Sequence, residues 1–176
     1  MGFSDASIYA KVSLPWIIVG FIFHIIGFPT NAWVDTNGGN AGLFRHCGDL
    51  LGCITADQNT AKDWYKVSQA FQIIGFLFLV AALVTAIVYT VILNNNRFLR
   101  LIAIVVNSTS IFFIFIGFVV YAGRYGEVWS ETTYDLGWSF ALVVVSYVCL
   151  FIGLVCQFLD LCIPVSESVR LHNDHS

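Results

Sequence analysis

Four long apolar runs separated by polar intervals constrain the fold of this chain more than any other feature of its sequence. The runs cover residues 12–28, 67–93, 98–123 and 138–162. Because about 20 apolar residues cross the hydrocarbon core of a bilayer, each run predicts a membrane-spanning helix. Charged residues make up 11% of the chain, against about 25% in soluble domains. The sequence therefore predicts an integral membrane protein with four transmembrane helices.

The polar intervals predict how these helices are connected and oriented. The second and third runs are separated by little more than the turn at residues 94–96, so they should form an antiparallel hairpin. Four spans place both termini on one side of the membrane. Lys and Arg divide evenly between the two sides, but Arg97 and Arg100 crowd the shortest interval, which favours a cytoplasmic location. We therefore predict cytoplasmic termini, outer loops at residues 29–66 and 124–137, and a cytoplasmic tail at residues 163–176.

The first outer loop carries an ordered series of aromatic, glycine and cysteine residues. Trp33 is followed by Gly42-Leu43-Phe44 and then by Cys47 and Cys53. Residues 37–40 are Asn and Gly, which accept the positive φ of hairpin turns. We expect a strand at residues 32–36, a return strand at residues 41–47, a second turn between Gly48 and Gly52, and a third strand beginning at Ile54. The loop thus predicts a small antiparallel sheet standing on the helix ends.

This loop resembles the first extracellular loop of the claudin, peripheral myelin protein and epithelial membrane protein superfamily, whose pattern is Trp, Gly-Leu-Trp, Cys, Cys. Phe44 stands where that family usually has its second Trp. Residues 67–72 and 137–140 are similar to the family's entries into the second and fourth spans. The resemblance implies an all-α membrane protein with a small β cap, in which one domain over residues 1–176 forms a left-handed four-helix bundle topped by an extracellular antiparallel sheet.

Two interpretations concern the loop motif. We interpret Cys47 and Cys53 as a disulfide that clips two strands of an extracellular loop, the alternative being two free thiols. A redox site would require the Cys-x-x-Cys spacing, which is absent. Trp33 and the Gly42-Leu43-Phe44 triplet suit a hydrophobic pin that seats the sheet on the outer leaflet and the helix tops. The alternative is a hot spot that binds a partner protein.

Several polar or reactive residues lie in or beside the predicted helices. His24 lies in the first span without a carboxylate or cysteine at ligand spacing, so we predict an interhelical hydrogen bond and no metal. The polar patch from Asn107 to Ser110 should join helices through hydrogen bonds. Cys162 lies at the predicted cytoplasmic exit of the last span, which makes it a candidate for reversible palmitoylation.

The sequence excludes several classes of function. It has no basic run of the kind that binds nucleic acid. It has no Ser/His/Asp set, phosphate loop or zinc spacing, so we expect neither an enzyme nor a cofactor. What remains is a protein that acts through contacts with membrane lipid and with other membrane proteins, including copies of itself.

Two functions of that kind fit. The first, implied by the resemblance, is a claudin-like structural protein whose outer loops and helices make contacts at cell–cell junctions of the plasma membrane, in adhesion or as a paracellular barrier. The second is an auxiliary subunit that modulates an ion channel or receptor, like the γ subunits of calcium channels. For the first, Asp57 is a candidate paracellular charge because it is the first acid after Cys53. The alternative is that Asp57 is an ordinary solvated charge of the loop or a helix cap.

Overall fold

A computed structural model describes residues 6–36, 39–48, 52–55, 62–92, 96–128 and 134–163. Within these ranges the chain forms four long helices and a five-stranded antiparallel sheet. In chain order the elements are α1 (Ile8–Gly27), β1 (Val34–Thr36), β2 (Gly39–Ala41), β3 (Arg45–Gly48), β4 (Gly52–Thr55), α2 (Asp63–Ile87, continued by a π-helical turn at Val88–Ile92), α3 (Arg97–Val128), β5 (Tyr134–Leu136) and α4 (Trp138–Cys162). The predicted four-helix membrane fold with a small β cap is confirmed.

All four helices are long and apolar enough to cross a membrane. Helix α1 begins four residues before the predicted run because Ser7 caps it, accepting a hydrogen bond from the Ala10 amide at 3.1 Å. Helix α3 has 32 residues, which at 1.5 Å per residue makes it about 48 Å long. It is therefore longer than the roughly 30 Å hydrocarbon core, so the bundle extends beyond the membrane.

Each helix packs antiparallel to its neighbour in sequence, and α4 closes the ring against α1. Small residues bring the backbones close at this seam. A Cβ on Gly27 would lie 2.7 Å from the Ser139 carbonyl oxygen, and the Ser146 hydroxyl donates to the Gly20 carbonyl at 2.7 Å. Glycine and serine at facing positions are typical of helix packing in membranes, where close backbone approach replaces the hydrophobic effect.

The strands lie in the order β4-β3-β2-β1-β5, and every neighbouring pair is antiparallel. The predicted return strand at residues 41–47 was wrong as one piece, because Gly42-Leu43-Phe44 turns the chain between β2 and β3. The Gly42 amide donates to the Arg45 carbonyl across this turn at 2.8 Å. Strand β5, which we did not predict, comes from the second outer loop and pairs with β1. Both outer loops therefore contribute to one sheet.

Candidate interaction site in the β cap

Trp33 fastens the sheet to three helices. Its side chain is fully buried, and the indole Nε1 donates to the Gly27 carbonyl at the end of α1 at 2.9 Å. Its ring packs edge-on against Tyr121 of α3 and Phe140 of α4, with ring centroids 4.9 Å and 5.6 Å apart. Trp33 is thus placed as an internal pin. It contacts the helix tops and is not at the surface, where a partner or the lipid leaflet would meet it.

The Gly42-Leu43-Phe44 turn is a second attachment point. Leu43 is fully buried, and the Phe44 ring packs edge-on against Phe28 with centroids 5.1 Å apart. A Cβ on Gly42 would lie 2.3 Å from the Thr30 carbonyl oxygen. Because backbone cannot move aside for a side chain there, this position accepts only glycine.

Two side chains of α2 hold the same turn by its backbone. The Tyr65 hydroxyl donates to the Gly42 carbonyl at 2.7 Å, and the Gln69 amide donates to the Leu43 carbonyl at 2.6 Å. Tyr65 and Gln69 are four residues apart and therefore lie on one face of the helix. Sequence reasoning missed this pair, although two polar side chains at that spacing in the first turns of an apolar helix are the signal that could have revealed it.

Backbone hydrogen bonds join the second outer loop to the first at the point where β5 is followed by α4. The Gly137 amide donates to the Trp33 carbonyl at 2.8 Å, and the Ser139 amide donates to the Ala32 carbonyl at 3.2 Å. A Cβ on Gly137 would lie 2.2 Å from the Ala32 carbonyl oxygen. The start of α4 and the start of the cap are therefore one packed unit.

Cys47 and Cys53 form the predicted disulfide. They face each other directly across β3 and β4, so the bond fixes the register of the strand at the edge of the sheet. The Asn31 side-chain amide lies 2.8 Å from the Cys47 sulfur, which connects the bonded pair to the segment that follows α1.

The sheet has two chemically different faces, because cross-strand partners point to the same side and neighbours along a strand to opposite sides. The face toward the helices buries Val34 and Ala41. The other, which we call the outer face, carries a set of polar or charged side chains exposed to solvent: Asp35, Asn40, Arg45, Thr55 and Asp135. Asp35 and Asp135 stand directly opposite each other. Since like charges in that arrangement destabilise a sheet, they do not serve the stability of the cap.

His46 lies on the face toward the helices, where its ring stacks on Tyr65 with centroids 5.7 Å apart. Burial lowers the pKa of the His46 imidazole, because the charged form loses hydration there. The imidazole is therefore kept neutral in the folded cap at pH values where an exposed histidine begins to protonate.

His24 is fully buried in the bundle. Within the described part of the chain neither ring nitrogen has a hydrogen-bond partner, so the predicted interhelical bond is not found there. The ring stacks instead on Phe28 and Phe76, with centroids 5.5 Å and 6.0 Å apart. His24 is thus packed as an aromatic ring, which its position in an apolar run did not distinguish from a hydrogen-bonding role.

The polar patch of α3 does join helices, but only through half of its members. The Asn107 amide donates to Gln157 of α4 at 3.0 Å, and the Ser110 hydroxyl donates to the Gly75 carbonyl of α2 at 3.0 Å. Ser108 and Thr109 donate to carbonyls of their own helix. Position on the helix decides the outcome, because only Asn107 and Ser110 are fully buried among neighbouring helices.

An ion pair that sequence reasoning missed closes the end of the bundle opposite the cap. Asp160 of α4 is 1% exposed, and its carboxylate lies 3.0 Å from the Arg100 guanidinium of α3. Arg100 also donates to the Asp160 backbone carbonyl at 3.0 Å, and Ser7 at the start of α1 donates to the carboxylate. The feature of the sequence that could have revealed this ion pair is Asp160 itself, an acid near the end of the last apolar run. Three helices, including the first and the last, meet at this group.

The remaining predicted residues are placed as follows. Asp57 lies outside the described residues, and the N-cap residue of α2 is Lys62. Cys162 is a free, exposed cysteine at the end of α4. In the described ranges no three His, Cys, Asp or Glu side chains lie close enough together to hold a metal ion.

Comparison with known proteins does not assign the chain to a family. No protein-family model matches it, and no curated protein matches it. What the chain does is therefore inferred from its own contacts and charges.

Proposed function

We propose that this chain is a claudin-like structural membrane protein that acts by contact at cell–cell junctions of the plasma membrane, in adhesion or as a paracellular barrier. Its partners are copies of itself or other membrane proteins, and it carries out no enzymatic reaction. The observation that supports this best is the division of the sheet into an anchored face and an exposed polar outer face. A surface whose charges do not stabilise its own fold is suited to meeting another molecule.

The anchoring contacts support the proposal because they hold the outer face still. Trp33 is hydrogen-bonded to the end of α1. The Gly42-Leu43 backbone accepts hydrogen bonds from Tyr65 and Gln69 of α2. A preorganised surface loses less conformational entropy on association than a mobile loop does. Two copies on opposed membranes would therefore meet through rigid sheets.

The orientation in the proposal follows from the two ends of the bundle. The contact between Ser7 and Asp160 puts the start of α1 and the end of α4 at one end, and the Cys47–Cys53 disulfide lies at the other. Disulfides persist in oxidising surroundings, so we assign the cap to the outside and both termini to the cytoplasm.

Expression in non-adherent cells that lack junctions tests this function. Fluorescently tagged protein should accumulate where two expressing cells touch, and not where an expressing cell touches a non-expressing one. Asp35→Lys or Asp135→Lys should reduce the accumulation because each reverses a charge on the outer face. Asp63→Lys is the matched control, since Asp63 is an exposed acid at the start of α2, away from the outer face. An even distribution of the wild-type protein around the cell surface would contradict the junction function.

That even distribution would favour the second candidate, an auxiliary subunit of an ion channel or receptor. The 32-residue length of α3 is the observation that supports it, since a helix longer than the membrane is thick offers a partner a lateral surface outside the lipid. Crosslinking in intact cells, followed by purification, should then recover one multi-pass partner in fixed ratio. Recovery of the chain alone would remove this candidate.

A further inference from the structure

One row of side chains crosses the sheet from edge to edge on the face toward the helices. In strand order it consists of Ile54, His46, Ala41, Val34 and Leu136, each directly opposite the next. Burial along the row is high in the middle and low at both ends. Ala41 and Val34 are 7% and 0% exposed, whereas Ile54 and Leu136 are 55% and 50% exposed. Among the described residues, the sheet is therefore wider than the part of the bundle that covers it, and its two edges overhang.

The overhanging side chains are apolar and point to the membrane side of the sheet. Their neighbours along the strands, Thr55 and Asp135, are exposed and polar and point to the outer face. At each edge, an apolar side chain thus points toward the membrane and a polar neighbour points away from it; the other neighbour of Ile54 is Cys53 of the disulfide. Such alternation at an edge whose apolar side chains are exposed is expected where an apolar phase lies on one side.

Trp138 continues this surface at one edge. It is the first residue of α4, two positions after Leu136, and it is 56% exposed. Tryptophan is enriched where a membrane-spanning helix passes through the headgroup region, because its ring is apolar and its N–H is polar. The exposed apolar flank of α4 below it, including Val145 and Val148, belongs to the lipid-facing surface of the bundle.

We propose that the underside of the cap rests on the bilayer, with Ile54 at one edge and Leu136 and Trp138 at the other inserted at the boundary between headgroups and acyl chains. The occupant of this surface is lipid, because Leu136 and Trp138 continue the lipid-facing surface of α4 and because both edges face the same way as the buried anchor Val34. The inference rests on the membrane location of the helices and not on the proposed junction function. It replaces the expectation that Trp33 and Gly42-Leu43-Phe44 seat the sheet on the leaflet.

Contact with lipid at both edges has a structural consequence. The anchors Trp33, Tyr65 and Gln69 hold the middle of the sheet to the helix ends, and lipid supports its two edges. The sheet is then kept flat against the membrane, and its outer face stands at a fixed height above the headgroups.

Site-directed spin labelling of the full chain tests the proposal. A ketone-bearing amino acid at position 54, 55, 135 or 136 carries a nitroxide without adding a cysteine, with one copy of the chain in each phosphatidylcholine nanodisc. Collision with oxygen, which partitions into lipid, is compared with collision with a water-soluble nickel chelate. The oxygen-to-nickel ratio should be several-fold higher at 54 than at 55, and at 136 than at 135. Equal ratios within each pair would overturn the proposal. So would shielding of 54 or 136 from both reagents, which would indicate a contact with protein.

A second measurement needs no label in the sheet and still tests the edge at Leu136 and Trp138 if a labelled variant fails to fold. The fluorescence of Trp138 is obtained as the difference between wild type and Trp138→Phe in nanodiscs. This difference emission should be blue-shifted, and lipids brominated near the headgroup should quench it more than lipids brominated deep in the chain. Emission like that of indole in water, unaffected by either brominated lipid, would contradict insertion at this edge.

Discussion

Replacing Trp33 by alanine should loosen the cap. The indole is fully buried, packs against Tyr121 and Phe140, and donates a hydrogen bond to the Gly27 carbonyl. Truncating a buried tryptophan to alanine costs about 3–5 kcal/mol, because packing is lost and a cavity remains. Of this, one hydrogen bond accounts for about 1 kcal/mol. Trp33→Phe, which keeps a ring and loses the donor, should therefore have an intermediate effect.

The assay is thermal unfolding in detergent micelles, followed by circular dichroism. For a chain of this size each kcal/mol shifts the unfolding midpoint by about 2–4 °C. Trp33→Ala should therefore lower the midpoint by roughly 6–20 °C. Trp138→Ala is the comparison variant, because it removes the same side chain from a position that is 56% exposed within the protein. It loses contacts with lipid or detergent but less packing against protein, so its midpoint should fall by less than that of Trp33→Ala. Equal midpoints for the two variants would refute the role of Trp33 as the pin of the cap.

Three further predictions concern charge. Asp160→Ala should destabilise the bundle by about 3–5 kcal/mol, because the largely buried Arg100 guanidinium loses the carboxylate that pairs with it. Adding Arg100→Met to the Asp160→Ala variant should restore most of the lost free energy of unfolding. Chemical unfolding that shows the double variant to be as unstable as Asp160→Ala alone would count against the ion pair. The unfolded state takes up a proton before the folded state does, because burial lowers the pKa of His46, so cap stability should fall as the pH drops below about 6.5. His46→Gln should flatten that dependence of the unfolding midpoint, and an unchanged slope would argue otherwise. If the chain lines a path between cells, Asp57→Asn should lower the sodium-to-chloride permeability ratio measured by dilution potentials across monolayers, because a fixed carboxylate attracts cations; equal ratios would remove Asp57 from the path.

The features predicted correctly are those encoded locally. The lengths of the apolar runs predicted four membrane-spanning helices, because the thickness of the bilayer core sets how many apolar residues such a helix needs. The Asn-Gly-rich segment at residues 37–40 predicted the hairpin between β1 and β2, although Gly39 and Asn40 belong to β2 and not to the turn. Two cysteines in one predicted outer loop gave the disulfide between Cys47 and Cys53. Each of these depends on residues close together in sequence or on the solvent that surrounds them.

The features that were missed depend on contacts between distant parts of the chain. Strand β5 has only three residues, and its pairing with β1 across two intervening helices has no local pattern. The break of the return strand at Gly42 follows from Tyr65 and Gln69 holding the turn. The sequence pattern indicated only a cytoplasmic location for Arg100, because its partner, Asp160, lies on another helix. Such pairings are chosen by packing and become visible only in the folded chain.

Hydrogen bonds fasten the cap to the helix ends, and the cap thereby presents the outer face. Amide hydrogen exchange in nanodiscs tests this most directly, with Tyr65→Phe and Gln69→Leu combined in one chain and residues 97–124 as the internal reference. Two lost hydrogen bonds of about 1 kcal/mol each correspond to roughly 30-fold faster exchange of residues 39–48. We expect residues 39–48 to exchange slowly in the wild type and roughly 30-fold faster in the variant. Exchange of residues 97–124 should be the same in both proteins. Fast exchange of residues 39–48 in the wild type, or equal rates in the two proteins, would contradict this fastening of the cap.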